Sequence, residues 1–311
     1  MHHLCTPVYL TLWLLLGIAY QSSQGLERIP IDEDTTHLVS VQTYFPSEFH
    51  QGSLDRLSGG IPQHLASRMV VDSRGRILVT GPQLSVVHVF DTREGSRYQI
   101  RGDHQHRLMI PTFIAVDADN NVYVTDLQIS AVVVLQPDGG FKRILGSGVF
   151  DAPAGIWVDS KNRRLDAVDS WRGEILSFDL EGRLLFSFGT RGSGSGQLQG
   201  PSDVVLHEDT LFDSSGNFNS VLSFGMNRRP LAFALDAAGH LYFVDRYSGG
   251  LVAMDTSGAT VAGFERRPFG QWVPRSASQP RFACVAQDAG GKRILALRPA
   301  FEVQALTLVG R

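Results

Sequence analysis

The 311-residue chain is poor in cysteine. Of its two cysteines, Cys5 precedes an apolar run near the N-terminus and Cys284 lies close to the C-terminus. If the N-terminal segment is removed, Cys284 remains alone and no internal disulfide can form, which a large apolar core does not require. A lipid-modified cysteine would follow the apolar run, so the position of Cys5 argues against a lipoprotein anchor.

Lysine is also scarce, and arginine greatly outnumbers it. The lysines are Lys142, Lys161 and Lys292, and the formal net charge is -3. A chain without an excess of positive charge is not expected to bind nucleic acid or an anionic membrane. The hydrophobic content of 43% and the charged content of 19% are those of a globular protein with a sizeable core.

The longest apolar run, residues 8–20, is too short to cross a bilayer, which takes about 20 residues. Small and polar residues follow it, with Ser23 and Gly25 just before a suitable cleavage point. We therefore expect residues 1–25 to be a signal peptide and the mature protein to be secreted or periplasmic, with no membrane span. Because no Lys or Arg precedes the run, an uncleaved anchor is the alternative.

A repeat of 40–50 residues organises the rest of the chain. The copy at Pro111 reads PTFIAVDADNNVYVTD and then AVVVLQPDGGFKRILG, and similar copies begin near Ser67, at Pro153 and at Pro230. Each copy has an apolar strand that ends in Asp, a turn closed by Gly or Asn, and three further strands. Four short antiparallel strands in each repeat are typical of a β-propeller blade.

Two weaker copies, at Pro201 and Pro280, bring the number to six. The sequence therefore predicts an all-β fold, one six-bladed β-propeller over residues 26–311. A solenoid is the competing repeat architecture, but short hairpins favour a closed ring. The last copy has room for three strands only, and the β-forming segment 38–45 is predicted to supply the fourth and close the ring.

The copy that begins at Pro201 is shorter than the others. His207 stands where the other copies have Asp, and only 29 residues separate it from Asp236, against 42 between Asp117 and Asp159. The difference is about one strand and one loop. We predict a shortened fourth blade with at most three strands, and we expect it to open first.

The pattern P-x-G-I-x-V-D, followed by V-Y-V-x-D and V-x-V-F-D-x-x-G, resembles the NHL-repeat family of six-bladed β-propellers. The resemblance covers residues 60–311, but the Asn-x-Arg motif that usually precedes the third strands is missing. It implies a propeller scaffold, which some similar proteins use as lyases or lactonases with a metal at the central channel and others use to bind RNA. The expected export and the acidic balance argue against RNA.

A propeller of this kind has two unlike faces. One should carry the tight turns, including 72–75, 117–120, 159–162 and 236–239, which we interpret as structural. The other should carry the longer loops, where function usually lies on a rigid scaffold. Large side chains on those loops are candidates for binding, although they could instead cover loop backbone: Trp171, Arg172, Arg246, Tyr247, Trp272 and Arg275.

Other motifs favour structural roles. His104 and His106 could share a face of a strand, but a zinc site normally has at least three protein ligands and no third is evident. The run Gly192-x-Gly194-x-Gly196 lacks the Lys of a phosphate-binding loop and is interpreted as a linker. Three carboxylates at the ends of second strands could hold a cation, but such residues more often close their own turns: Asp126, Asp169 and Asp245.

These observations predict an exported binding module that recognises a protein, a peptide or a glycan on the long-loop face. No catalytic residue, metal site or cofactor is assigned. The alternative is a lyase or lactonase-type enzyme with a metal at the central channel. The inner strands read MVVD, FIAVD, GIWVD, DVVLH, AFALD and ACVAQ, and their apolar interiors disfavour that alternative.

Overall fold

The computed structural model describes residues 37–44, 68–81, 84–91, 93–194, 196–204, 230–236, 238–245, 251–255, 259–264, 284–287, 294–297 and 303–309. All of them belong to one compact unit, Thr35–Arg311. The expected signal peptide and most of the expected fourth blade, residues 205–229, lie outside the described residues.

The described residues form an all-β structure of twenty strands in five antiparallel sheets of four strands each. The first sheet contains β2 (Arg68–Val71), β3 (Arg76–Thr80), β4 (Val87–Asp91) and β5 (Ser96–Ile100). The second contains β6 (Pro111–Val116), β7 (Val122–Asp126), β8 (Ala131–Leu135) and β9 (Phe141–Leu145). The third contains β10 (Pro153–Asp159), β11 (Arg164–Asp169), β12 (Glu174–Asp179) and β13 (Leu184–Phe188).

Two further sheets follow along the chain. One contains β14 (Pro230–Leu235), β15 (Leu241–Asp245), β16 (Leu251–Met254) and β17 (Thr260–Phe264). The other, here called the closing sheet, contains β18 (Cys284–Gln287), β19 (Ile294–Leu297), β20 (Val303–Val309) and β1 (His37–Tyr44).

The middle strands of the second sheet are buried on both faces because neighbouring sheets cover both sides. Every residue of β8, with the sequence AVVVL, is buried, and so is every residue of β7. The outer strand β9 instead alternates between partly buried and exposed residues up to the buried Leu145. The core therefore lies between the sheets, as in a stack of blades.

A carboxylate closes the first hairpin of a blade, as the repeat predicts. In the second sheet, Asp117 Oδ1 accepts hydrogen bonds from the backbone N–H groups of Asp119 (3.0 Å) and Asn121 (2.8 Å). Its Oδ2 accepts from Asn121 Nδ2 (2.7 Å) and from the Tyr123 hydroxyl (2.9 Å). Asp236 forms the same network with His240 and Tyr242.

The equivalent turn of the third sheet differs from its prediction. Asn162 was expected to provide the left-handed residue, but Arg163 has the positive φ of 51°. The cause is turn length: Asp159 pairs with Arg164, five positions later. In the other first turns the backbone N–H of the Asp donates to the carbonyl oxygen of the residue four positions later, as Asp117 does to Asn121. Asn162 still donates to Asp159 from its backbone N–H (3.1 Å) and from Nδ2 (2.7 Å).

The N-terminal strand completes the last blade. β1 pairs antiparallel with β20, from His37 opposite Val309 to Tyr44 opposite Val303, and the order in the closing sheet is β1-β20-β19-β18. This confirms the closing strand predicted at 38–45. It also joins the two ends of the repeat array, which an open solenoid would leave apart.

The inner strands are neighbours in the order β14, β18, β2, β6 and β10. Residues 201–204 continue this series, because Gly155 N on β10 donates to Ser202 O at 3.0 Å. The sheets therefore follow one another in a propeller arrangement. Five complete sheets and this sixth inner segment are compatible with six blades, but the blade count and the shortened fourth blade stay predictions.

Candidate functional site

The loop between β11 and β12 is held by the buried carboxylate of Asp169. Asp169 Oδ1 accepts from the backbone N–H groups of Trp171 and Arg172, each at 3.0 Å. Its Oδ2 accepts from Asp151 N (2.7 Å), in the linker that enters the blade. This one side chain fixes both the loop and the linker beside it.

Asp126 has the same role in the second sheet, where it binds the backbone N–H groups of Met109, Ile110, Gln128 and Ile129. Both oxygens of Asp126 and of Asp169 thus accept hydrogen bonds from backbone N–H groups, which matches the interpretation that such residues close their own turns. The side chain of Asp245, the third residue in that prediction, lies outside the described residues.

Trp171 extends from its fixed loop into solvent, with 63% of its surface exposed. The guanidinium carbon of Arg191 lies 4.9 Å from the centre of the indole ring, within the range of a cation–π contact. Arg172 donates from Nη1 to Val149 O (2.9 Å), and its Nε lies 3.5 Å from Glu174 Oε2. An aromatic ring and the guanidinium of Arg191 are therefore in contact, and a second exposed arginine, Arg172, follows Trp171 in the same loop.

Arg191 belongs to the linker 189–200, which folds back over the Trp171 loop. Leu198 N donates to Thr190 O at 2.8 Å, and Arg191 forms an isolated parallel bridge with Leu198. The Gly192-x-Gly194-x-Gly196 run lies within this hydrogen-bonded linker, in agreement with its interpretation. We call Trp171, Arg172 and Arg191 together the Trp171 surface.

Two more apolar side chains are exposed at the corresponding end of the second sheet. Met109 is 51% exposed and Leu127 is 41% exposed. They adjoin the ends at which β6 begins and β7 ends, and Leu127 N donates to Ile110 O (2.9 Å). The Trp171 loop adjoins the same ends of β10 and β11, so all three side chains are on the long-loop face. Met109 and Leu127 are neither aromatic nor charged, so neither could be recognised from sequence as a candidate binding residue.

Four of the six candidate binding residues are outside the described residues: Arg246, Tyr247, Trp272 and Arg275. Trp171 and Arg172 are both exposed on the loop that Asp169 holds. Whether any of these residues binds a ligand stays a prediction.

The inner strands carry a buried ion pair that the sequence analysis missed. Arg68 on β2 pairs with Asp203, and its side chain is 7% exposed and that of Asp203 1% exposed. The Arg68 guanidinium also lies 4.9 Å from the centre of the Phe113 ring and donates to Phe233 O (3.5 Å). One side chain thus links inner segments from four parts of the chain.

Of the two histidines in the first linker, His106 makes local contacts. His106 stacks on Phe141, with ring centres 3.7 Å apart, and its Nδ1 lies 3.1 Å from Asp103 Oδ1. Backbone hydrogen bonds, first from His106, lower the pKa of the exposed Asp103 carboxyl. Within the described ranges, no three His, Cys, Asp or Glu side chains come together in a way that could hold a metal ion.

Two buried titratable groups lie away from the Trp171 surface. Burial, assisted by the charge of Arg101, lowers the pKa of His88 to about 4. Burial raises the pKa of Asp166, against the opposing effect of hydrogen bonds from Ser177 and Arg164. Both side chains are buried, so neither is exposed to a ligand on the surface. Among the residues that the structure describes, no helix is long and apolar enough to span a membrane.

The arrangement of the sheets defines the class of protein, a β-propeller. A streptogramin B lyase structure aligns with a TM-score of 0.56 at 12% identity, covering 80% of this chain and 95% of that one. Virginiamycin B lyase from Staphylococcus aureus aligns with a TM-score of 0.54 at 13% identity, covering 79% of this chain and 96% of that one. Hydrazine synthase from Kuenenia stuttgartiensis aligns with a TM-score of 0.54 at 12% identity, covering 82% of this chain and 98% of that one. Identities this low show the fold alone.

A relative in sequence narrows the class. The chain is 28% identical over 212 residues to the rat E3 ubiquitin-protein ligase NHLRC1, a match that covers 60% of this chain and 52% of that protein. The chain thus spans about half the length of the curated relative it matches. No family model matches. The repeat pattern, the fold and this relative support the resemblance of the chain to the NHL-repeat β-propellers.

Proposed function

We propose that the protein is an interaction module that binds a protein or peptide partner at the Trp171 surface. The observation that carries the proposal is the 63% exposed indole of Trp171 on a loop whose backbone is fixed by buried Asp169. Trp and Arg are enriched among the residues that contribute most to binding. Because the loop is already ordered, little conformational entropy is lost when a partner binds.

The sequence relative supports this proposal. A propeller related to a protein named as an E3 ubiquitin-protein ligase is suited to contact other proteins. The exposed side chains of Met109 and Leu127 extend the apolar area on the same face, which would favour an extended peptide or a folded partner over a small molecule.

Export is part of the proposal and rests on the apolar run at residues 8–20 and the small residues after it. The mature chain would begin after Gly25. N-terminal sequencing of protein recovered from the medium or the periplasm tests this directly. A start at Met1, or retention of the protein inside the cell, would contradict it.

A lyase or lactonase-type enzyme is the second candidate, suggested by the two lyases that share the fold. Such an enzyme would use side chains at the inner strands. There, the described Arg68 and Asp203 are engaged with each other. Metal analysis of the purified protein separates the two candidates, because zinc or calcium at one equivalent per chain would favour the enzyme.

Binding can be tested with random peptides displayed on phage and, for the alternative ligand, with a glycan array. Trp171→Ala is compared with Leu185→Ala, which removes a side chain that is 48% exposed on β13. We expect the wild-type chain and the Leu185→Ala variant to enrich the same peptides and Trp171→Ala to lose them. Equal enrichment by all three, or binding to glycans alone, would contradict the proposal.

A further inference from the structure

Three arginines among the described residues lie over aromatic rings. Arg68 lies over Phe113 and Arg164 over Phe186, at 4.9 Å and 6.0 Å, and Arg191 lies over Trp171 at 4.9 Å. The first two also have carboxylate partners: Arg68 pairs with Asp203, and Arg164 Nε lies 3.0 Å from Asp166 Oδ2.

Arg191 differs from the other two in this respect. Within the described part of the chain, no carboxylate lies within ion-pair distance of its guanidinium. A guanidinium that lies over an aromatic ring keeps N–H donors at its edge, and these match the two oxygens of a carboxylate. Arg68 and Arg164 each contact an aromatic ring and a carboxylate of the same chain, whereas Arg191 contacts a ring and, among the described residues, no carboxylate.

The neighbouring guanidinium, that of Arg172, is less available to a carboxylate of a ligand. Arg172 donates to Val149 O and faces Glu174 Oε2 at 3.5 Å, so its charge is partly compensated within the chain. Arg191 is exposed and is carried by a linker that the bridge to Leu198 orders. The uncompensated charge of the Trp171 surface is therefore concentrated at Arg191, directly beside an exposed apolar ring.

We infer that the Trp171 surface recognises an acidic peptide, in which an Asp or Glu carboxylate binds the edge of Arg191 and an adjacent apolar residue packs on Trp171. The inference rests on the proposed function and names the chemistry of its ligand. A peptide with these two features fits because it supplies the missing carboxylate and also covers the exposed indole ring.

The probe is an arrayed set of 12-residue peptides that are identical except at two adjacent positions. The first holds Glu, Gln or Lys and the second holds Leu or Phe, and binding to the full chain is measured by fluorescence anisotropy. We expect the Glu peptides to bind about 10-fold more tightly than the Gln peptides, the usual scale for a charge-assisted pair of hydrogen bonds. The preference should decrease at 0.5 M salt.

Three variants assign the effect to residues. Arg191→Gln should bind Glu and Gln peptides equally, and Trp171→Ala should weaken binding of both. Arg107→Gln, which removes another exposed arginine from the linker before β6, is the control and should keep the preference for Glu. Unchanged thermal unfolding of each variant shows that it is folded.

The outcomes separate the inference from the proposed function. If Glu and Gln peptides bind equally to the wild-type chain, or if Arg191→Gln keeps the preference, the inference is wrong. The proposed function then still stands provided that Trp171→Ala weakens binding. If no peptide in the array binds the wild-type chain, the inference is wrong, and the phage-display comparison of the wild-type chain with Trp171→Ala then decides the proposed function.

Discussion

The backbone of Arg191 lies directly against Gly173. A Cβ on Gly173 would be 2.7 Å from the Cα of Arg191 and 2.7 Å from the carbonyl oxygen of Leu198. Both contacts are with backbone, which cannot rotate away as a side chain can. The absence of a side chain at Gly173 thus allows the linker to approach the Trp171 loop closely enough for Arg191 to reach the indole ring.

Gly173→Ala should therefore be more destabilising than a glycine substitution with the same backbone strain. The matched control is Gly148→Ala, because Gly148 has φ +74° against +70° for Gly173 but has no atom within 4 Å of its Cβ position. We expect Gly148→Ala to lower the free energy of unfolding by about 1 kcal/mol and Gly173→Ala by about 2 kcal/mol more. Urea unfolding measures both, and equal losses would contradict the close approach.

Breaking the ion pair between Arg68 and Asp203 should destabilise the whole ring. Removing one partner leaves a buried charge without compensation, so Arg68→Met and Asp203→Asn should each lower the free energy of unfolding by about 3–5 kcal/mol. The double variant should lose less than the two single losses added together, because no unpaired charge remains. Additive losses in urea unfolding would show that the pair is not coupled.

The buried His88 predicts a loss of stability in acid. Its folded-state pKa of about 4 is below the ordinary value of 6.5, so the unfolded chain binds the proton more tightly. The stabilising contribution is complete above pH 6.5 and is lost as the pH falls to 4, by about 3 kcal/mol in total. Other groups titrate in both proteins, so the comparison with His88→Gln isolates the effect of His88. The free energy of unfolding of the wild type minus that of His88→Gln should decrease as the pH falls over this range. Parallel pH profiles would disprove the assignment.

Deletion of residues 26–46 removes β1 from the closing sheet and leaves β20 without its outer neighbour. We expect a cooperative decrease in the melting temperature of the whole domain, since the ring is no longer closed. A synthetic peptide of residues 26–46 added to the truncated chain should restore part of the loss. A truncated chain that melts at the wild-type temperature would refute the role of β1.

The features that could be predicted from sequence are those with a local cause. The turn at Asp117 could be predicted because its causes lie within a few positions of one another. They are the Asp itself, Asn120, which tolerates a positive φ, and the two flanking strands. The closing strand followed from a repeat that lacked one strand and from a β-forming segment at the other end of the chain. The turn after Asp159 was wrong in detail because one extra residue transfers the positive φ to Arg163.

The features that were missed depend on residues far apart in sequence. Arg68 precedes the apolar part of its strand, and nothing near it indicates a partner at Asp203. Arg191 lies in a glycine-rich linker whose path is set by contacts with Gly173. Trp171 and Arg172 could be chosen because the repeat places their loop on the long-loop face, but the third member of the surface required the fold.

The central claim is that a partner binds at the Trp171 surface, and hydrogen exchange of the full chain with and without the tightest-binding peptide tests it most directly. We predict slower exchange on binding at residues 169–173 and 189–200, with no change at the turn 117–120 on the opposite face. Slower exchange at the tight turns, with residues 169–173 and 189–200 unchanged, would contradict the account.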